Sequence, residues 1–389
     1  MSDQAILTIN AGSSSIKFSV YDPETMTEMV AGQVDSLGPD RQTTLKITDL
    51  ASGSTVEEDI GANDHAGAMA NVLRHGEMLF GTRAVAGVGH RVVHGGVDLD
   101  APALLSDDAF AKLETYIPLA PLHQPHNLAA ARAAQKAFPE AVQVACFDTA
   151  FHRTHPWVND TFALPREWFD KGVRRYGFHG LSYDYITGTL AETEPDLAAG
   201  RVIICHLGNG ASMCAVRDGK SVGSTMGFSA LDGLPMGTRC GQLDPGVLIY
   251  MMDQGLTPRE IETLLYKESG LKGLSGISND MRDLEASGES AAKEAIDYFV
   301  FRIRREIGGM SAVLGGLDGL IFCGGIGENS AMVRSRVCDD MDWLGIYIDK
   351  VKNAENARDI GTGNVRVMVI PTDEEIVIAR AVKAALRKA

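Results

Sequence analysis

Two arginines stand where apolar residues ordinarily would. Gly89-His90-Arg91-Val92-Val93-His94-Gly95-Gly96 sets Arg91 among apolar residues and glycines, and Met236-Gly237-Thr238-Arg239-Cys240-Gly241 does the same for Arg239. A guanidinium in a tight apolar loop must find a carbonyl or an anion, because an unpaired buried charge costs several kcal/mol. The partner is either a carboxylate of the chain, which would make the arginine a structural tie, or an anionic ligand. Three glycine-rich runs can receive such a ligand. Asn10-Ala11-Gly12-Ser13-Ser14-Ser15 offers backbone N–H groups and is followed by Lys17, so it reads either as a nest for phosphate oxygens or as an ordinary serine-rich hairpin turn. His206-Leu207-Gly208-Asn209-Gly210-Ala211-Ser212 is a second such turn, and Gly324-Gly325-Ile326-Gly327-Glu328-Asn329 a third, at a strand-to-helix junction where a helix N-terminus can meet an anion. None fits GxxxxGKS/T or GxGxxG. Together, three anion-cradling runs and two such arginines favour a nucleotide and a transferred phosphoryl group, whose charge calls for planar, multidentate donors.

Other chemistry-bearing residues are less specific singly. His123, in Pro121-Leu122-His123-Gln124-Pro125, and His179, in Tyr176-Gly177-Phe178-His179-Gly180, read as hydrogen-bond donors near a site or as satisfied structural histidines. HExxH is absent and the His90/His94 spacing falls on a strand and glycine turn, so a histidine-bound transition metal is not expected. Asp148 follows an apolar strand, the position where α/β ligand sites lie, and its alternative use is to cap the next helix. Asn10 and Glu374 are hard oxygen donors expected on loops. They suit Mg²⁺, which keeps most of its waters and needs only one or two protein oxygens.

Strands and helices alternate around these residues. Ala5–Ile9 and Ile16–Tyr21 read as a hairpin in which Ile16, Phe18 and Val20 share the core face and Lys17 takes the other. A comparable hairpin occupies 201–222, so one supersecondary unit is expected twice. Short strands follow at 84–88, 142–146, 319–323 and 365–370. Helical runs fall at 109–116, 127–138, about 245–254, about 258–268, 289–314 and 374–387, the last capped by Asp373. Strands alternating with helices predict an α/β class.

The chain has 389 residues, with 36 Lys+Arg against 51 Asp+Glu and a net charge of −15. Such an acidic surface repels polyanions, so nucleic acid is not an expected partner. The length predicts two or three domains. The longest uninterrupted apolar run, Val247 to Met252, is far short of the ~20 residues a membrane span needs, and no membrane role or secretory leader is expected. Six cysteines without a CxxC pair read as reduced packing residues of a cytoplasmic protein.

In combination, Asn10 to Lys17, His90 to Gly96, Phe147-Asp148-Thr149-Ala150-Phe151-His152, His206 to Gly210 and Gly325 to Asn329 resemble the acetate kinase family, in order from Ile6 to the C-terminal helix. The resemblance implies the two-domain α/β fold of actin, Hsp70 and sugar kinases, with a duplicated core and ATP in the interdomain cleft. It implies an N-terminal domain of residues 1–150 plus 371–389, a nucleotide-binding domain of 151–370, and a homodimer. The implied reaction is ATP + acetate ⇌ ADP + acetyl phosphate, with Mg²⁺ or Mn²⁺ and ATP/ADP as co-substrate. By position, Lys17, His206, Leu207, Gly208, Asn209, Gly210, Asp280, Met281, Arg282, Gly325, Ile326, Gly327, Glu328 and Asn329 would line the nucleotide site. Asn10 and Glu374 would serve the metal, with Glu375 as the alternative. Arg91 and His123 would meet the substrate, whose methyl group Val93, Leu122, Phe178 and Ala230 would surround. His179 and Arg239 would stabilise the transition state, and Asp148 is the family's catalytic acid.

Chemistry qualifies the last role. An alcohol acceptor must lose a proton, whereas a carboxylate is already ionised at neutral pH, with a pKa on the order of 4 to 5. Asp148 is therefore read as an orienting or metal-linked group. Two positions depart from the family's usual residues: Tyr183, often His, and Ala230, often Pro. A propionate or butyrate kinase shares the same phosphate machinery, and an actin- or Hsp70-like ATPase is the reading from another class.

Overall fold

The computed structural model describes residues 3–12 and 15–388, the side chains of 39–41 aside. Ser13 and Ser14, the middle of the expected phosphate nest, lie outside the described residues. The chain forms two compact units, Met1–Phe151 with Asp373–Ala389, and His152–Thr372.

The first unit is built on strands β1 (Gln4–Ala11), β2 (Ser15–Tyr21), β3 (Glu28–Asp35), β4 (Gly38–Asp49), β5 (Thr55–Asn63), β6 (Ala84–Val92), β7 (Ala103–Leu104) and β8 (Val142–Phe147). Their order in the sheet is β5-β4-β3-β2-β1-β6-β8-β7. The second unit holds β9 (Arg201–Leu207), β10 (Ala211–Arg217), β11 (Lys220–Ser224), β12 (Gly319–Cys323) and β13 (Arg366–Val369), in the order β11-β10-β9-β12-β13. The two sheets repeat one arrangement. In each, a three-stranded antiparallel meander (β3-β2-β1 and β11-β10-β9) continues into two parallel strands (β6-β8 and β12-β13). The duplicated hairpin expected from sequence is thus a duplicated five-strand topology.

Burial follows position in the sheet. β12 is buried at every residue and β10 at all but Arg217, the composition of strands covered on both faces. On β2, Ile16, Phe18 and Val20 are buried while Lys17 is exposed, as the period of two predicts. β3, β4 and β5 were not anticipated; β5 alternates exposed and half-buried residues and carries little of the apolar signal that marks the centre.

Helices cover the sheets by periodic apolar faces. On Ser290–Leu314, Ala292, Ala295, Ile296, Phe299, Ile303, Ile307, Met310 and Leu314 are buried, and the helix packs on β9 and β10. Glu374–Leu386 is capped by Asp373, whose side chain accepts from the Ile376 N–H at 2.9 Å, and it packs on β1, β6 and β8. Glycine makes that approach possible: a Cβ on Gly89 would stand 2.3 Å from Cγ2 of Ile378, and one on Gly87 2.4 Å from Cγ1 of Val382.

Several local expectations change. Arg91 lies in strand β6 and not in a loop, and Asn10 lies in β1. Glu374 opens a helix, and Gly324–Asn329 is itself helical from its first glycine. Propensity disfavours glycine in a helix, but Gly324 has φ 74° and a Cβ there would stand 2.8 Å from the Leu207 carbonyl oxygen. The helix expected over 258–268 is α-helical at Pro258–Thr263 and π-helical at Leu264–Glu268.

Candidate active site

In the first unit the β6–β8 register sets Arg91 beside Cys146, two residues before Asp148. Arg91 Nε and Nη2 donate to the two oxygens of Asp148 at 2.8 and 2.7 Å, and Nη1 donates to Asn10 Oδ1 at 3.0 Å. In this fork-to-fork pair the Arg91 side chain is 19% accessible and the Asp148 side chain 2%. Asn10 Nδ2 in turn donates to Glu374 Oε2 and Glu375 Oε1, each at 3.1 Å. Burial opposes the charge on Arg91, but Asp148, Glu374 and Glu375 outweigh it and hold the guanidinium protonated. Burial and then Glu374 raise the Glu375 carboxyl above its usual range, while Lys17 pulls it down. Lys17, paired with Asn10 across the β1–β2 hairpin, thus belongs with this acidic cluster.

Val93 and His94 continue from β6 and are clamped by helix Gln124–Ala137, which starts just after Leu122 and His123. Asn127 Oδ1 accepts from the Val93 N–H at 3.0 Å and Gln124 Oε1 from the His94 N–H at 3.1 Å. Asn127 Nδ2 also donates to the Ala11 carbonyl at 2.6 Å, tying β1 to the same helix. Sequence reasoning passed over Gln124 and Asn127. Their signal was two amide side chains on the face of the helix that also carries Leu128 and Ala131 into the core.

In the second unit the β9–β10 turn, Gly208–Gly210, occupies the place that the β1–β2 turn holds in the first. A Cβ on Gly210 would stand 3.2 Å from Arg239 Nη2 and 3.3 Å from His179 Nε2, so both cationic or donor groups close over this turn. His179 has φ 57°, and its ring stacks on His206 with centroids 4.4 Å apart. Arg239 Nη1 donates to the Ala230 carbonyl at 2.9 Å, and His152 Nε2 donates to the Phe178 carbonyl at 2.9 Å. The Arg239 segment is laced to the turn: the Gly237 N–H donates to the Asn209 carbonyl at 3.0 Å, and a Cβ at Gly237 would lie 1.9 Å from Asn209 Oδ1.

Beside this turn a cavity of about 670 Å³ is walled by Gly208, Asn209, Asp280, Met281, Arg282, Gly325, Ile326 and Asn329, all expected, together with Asn279, Glu285 and Ser330, which were not. Its volume falls in the range usual for small-molecule and cofactor sites. Asn279 Nδ2 donates to Asn209 Oδ1 at 3.1 Å, joining two walls. Asp280 caps helix Met281–Ala286 and pairs with the exposed Arg282 at the rim, which lowers its carboxyl pKa. Leu207 and Gly327 are buried in the core and do not line the cavity. Glu328 is also off the wall; its Oε1 accepts from the Gly324 and Thr372 N–H groups at 2.8 and 3.1 Å. Among the described residues no cluster of three or more His, Cys, Asp or Glu side chains is arranged to hold a metal. No helix among them is long and apolar enough to cross a membrane.

Residues 5–380 match the Acetokinase family. The chain belongs to that family. It is similar to the acetate kinase of Methylocella silvestris, 54% identical over 98% of each chain. Among solved structures, the acetokinase-family fold recurs in Porphyromonas gingivalis acetate kinase (37% identity, TM-score 0.88, 98% of this chain and 100% of that one). A propionate kinase from Francisella tularensis is as similar (36%, TM-score 0.90, 97% and 98%). The two α/β sheets are therefore those of the acetokinase family, and its fold alone does not separate acetate from propionate.

Proposed function

We propose that this chain transfers a phosphoryl group reversibly between ATP and a short carboxylate, acetate first, giving ADP and an acyl phosphate. The observation that carries this reading is the convergence of His179 Nε2 and Arg239 Nη2 over the Gly208–Gly210 turn, at the edge of a cavity of nucleotide size. The nucleotide occupies that cavity, its phosphates reaching the turn. Arg91 receives the carboxylate, and the attacking oxygen needs no base, because it is already anionic. What the site must do is hold two anions in line and spread the charge of the moving phosphoryl group, the work of Arg91, Arg239 and His179. The bidentate bond from Arg91 makes Asp148 the group that aims the guanidinium.

The acidic cluster fits Mg²⁺. Glu374 Oε2 and Glu375 Oε1 converge on one amide, a pair of adjacent hard oxygen donors of the kind a hard cation takes, and Glu374 adds to the burial that raises the Glu375 carboxyl. Asn10 and Glu374 would hold the ion, with Glu375 beside them. When bound it supplies neutralisation of the nucleotide's phosphate oxygens.

Hydroxamate trapping of acyl phosphate, with Mg-ATP and acetate, propionate or butyrate, tests the assignment. We expect product with acetate and appreciably with propionate, since Ala230 leaves more room than proline and one methylene is worth only about 1–3 kcal/mol of discrimination. ATP turnover that ignores added carboxylate would replace this reading with that of an ATPase.

A separate observation favours a homodimer. Helix Pro245–Asp253 reads PGVLIYMMD yet has no buried residue, with Ile249, Tyr250 and Met252 59%, 63% and 48% exposed. The residue before its capping loop, Gln242, accepts from Arg302 on helix Ser290–Leu314 at 2.6 Å, and that helix exposes Tyr298 and Phe301. So much exposed apolar surface marks an interface, and a second copy of the chain is the proposed occupant.

A further inference from the structure

His179 is held through a buried polar chain that its proposed role does not by itself require. Tyr183 follows it by one helical turn, its N–H donating to the His179 carbonyl at 3.1 Å, and is fully buried. Ser212, on β10 opposite His206, is also fully buried. The Ser212 hydroxyl contacts two groups: His179 Nδ1 at 2.8 Å and the Tyr183 hydroxyl. A serine hydroxyl has one proton to give. Burial, with the neighbouring Cys214 thiol adding to it, raises the Tyr183 hydroxyl well above its ordinary value, so the phenol keeps its proton at any working pH. A phenol that donates to Ser212 Oγ leaves the serine proton for His179 Nδ1.

We infer that Tyr183 and Ser212 are positioning residues that set the tautomer of His179, holding the neutral imidazole with its proton on Nε2. That nitrogen is the one beside Arg239 Nη2 over Gly210, where the transferring phosphoryl group would develop charge. The tyrosine therefore makes His179 a hydrogen-bond donor without requiring it to be protonated. The opposite tautomer would aim a lone pair at phosphoryl oxygens and repel them. The rest of the pocket fixes the ring in place. His206 stacks on it, and Tyr183 meets His152 edge-on at 5.5 Å and 75° while His152 pins the Phe178 carbonyl, one residue before the left-handed His179. This inference rests on the reading of His179 as a transition-state donor.

The test is Tyr183→Phe, Ser212→Ala and the double variant, each read by steady-state kinetics and by long-range ¹H–¹⁵N spectra of histidine-labelled protein, with His179→Gln assigning the His179 signals. Wild type should show the Nε2–H tautomer, and the variants a mixture. kcat should fall about tenfold in each single variant, with KM for ATP and acetate within about twofold, and the double variant should lose no more than either single one, because both act through one ring. An unchanged His179 tautomer in both single variants, or losses that multiply in the double, overturns the inference. Tyr183→Phe keeps the buried ring; should it still fail to fold, Ser212→Ala carries both readings alone. Activity of His179→Ala separates the two ideas. Full turnover there removes the donor role of His179, while the nitrogen spectra still decide what sets its tautomer.

Discussion

The residues of the proposed site are held in pairs whose members are far apart in sequence. Gly210 is the clearest single position, because it has no side chain and the two proposed transition-state donors converge where one would stand. Its missing side chain leaves His179 Nε2 and Arg239 Nη2 just over 3 Å from the empty Cβ position. Gly210→Ala should push both tips aside by a few tenths of an ångström, lowering kcat on the order of tenfold with little change in Tm, since the shift asked of each tip is small. Kinetics and a thermal melt on one preparation check this, and unaltered kcat would mean the two tips do not act there. Asp148→Asn makes a different demand. Asparagine can accept from only one arm of the Arg91 fork, so KM for the carboxylate should rise and kcat fall, roughly tenfold in kcat/KM or more. The pH profile of kcat should keep its shape, because no proton is transferred. Loss of an acidic limb in the variant alone would restore Asp148 as a proton donor.

At the scale of elements, the duplicated topology explains why the site residues fall where they do. Each sheet ends its central antiparallel hairpin in a tight turn, and each feeds its parallel strands toward the same end. Arg91 and Asp148 come from neighbouring parallel strands of the first sheet, and the Gly208–Gly210 turn joins the central hairpin of the second. Strand ends in α/β sheets leave backbone groups and side chains unpaired, which is why ligands bind there. Helix Pro245–Asp253 puts no fully buried residue into its own unit's core, and it is capped by Asp244, which accepts from the Gly246 N–H at 2.8 Å. Tyr250→Asp should therefore leave the fold intact and shift the mass seen by light scattering from two copies to one at micromolar concentration. A variant that stays dimeric would place the interface elsewhere.

For the whole molecule, acid stability follows from histidines buried in both units. Burial pushes His90 and His152 each down to about 4, and burial with His152, Arg153 and Arg175 pushes His155 down to about 2. All three are neutral in the fold and would protonate near pH 6.5 once unfolded. The unfolded chain therefore binds more protons below that value. Their stabilisation is complete above pH 6.5 and is lost as pH falls toward 4, at about 1.4 kcal/mol per pH unit for each histidine. Thermal melts from pH 7.5 to 4.5 should show a falling Tm, and His155→Gln should make the fall shallower. An equal slope in wild type and variant would show that His155 is not buried in neutral form.

The sequence by itself determined the chemistry on offer. Arginines among glycines, three glycine-rich runs and a lysine on the outward face of β2 are local facts. So is the repeat of one hairpin, since a period of two and a tight turn are written within a dozen residues. The partners were decided only by the tertiary structure. Arg91 looked like a loop residue because its neighbours are glycines, yet sheet pairing makes it a strand residue facing Asp148 across 57 positions of sequence. Asn10 meets Glu374 across 364 positions, and Tyr183 meets Ser212 across 29. Hydrogen-bond partners of this kind depend on strand order and register, which set which side chains share a face. A parallel register two residues different would leave the same motifs in place with Arg91 and Asp148 no longer aligned.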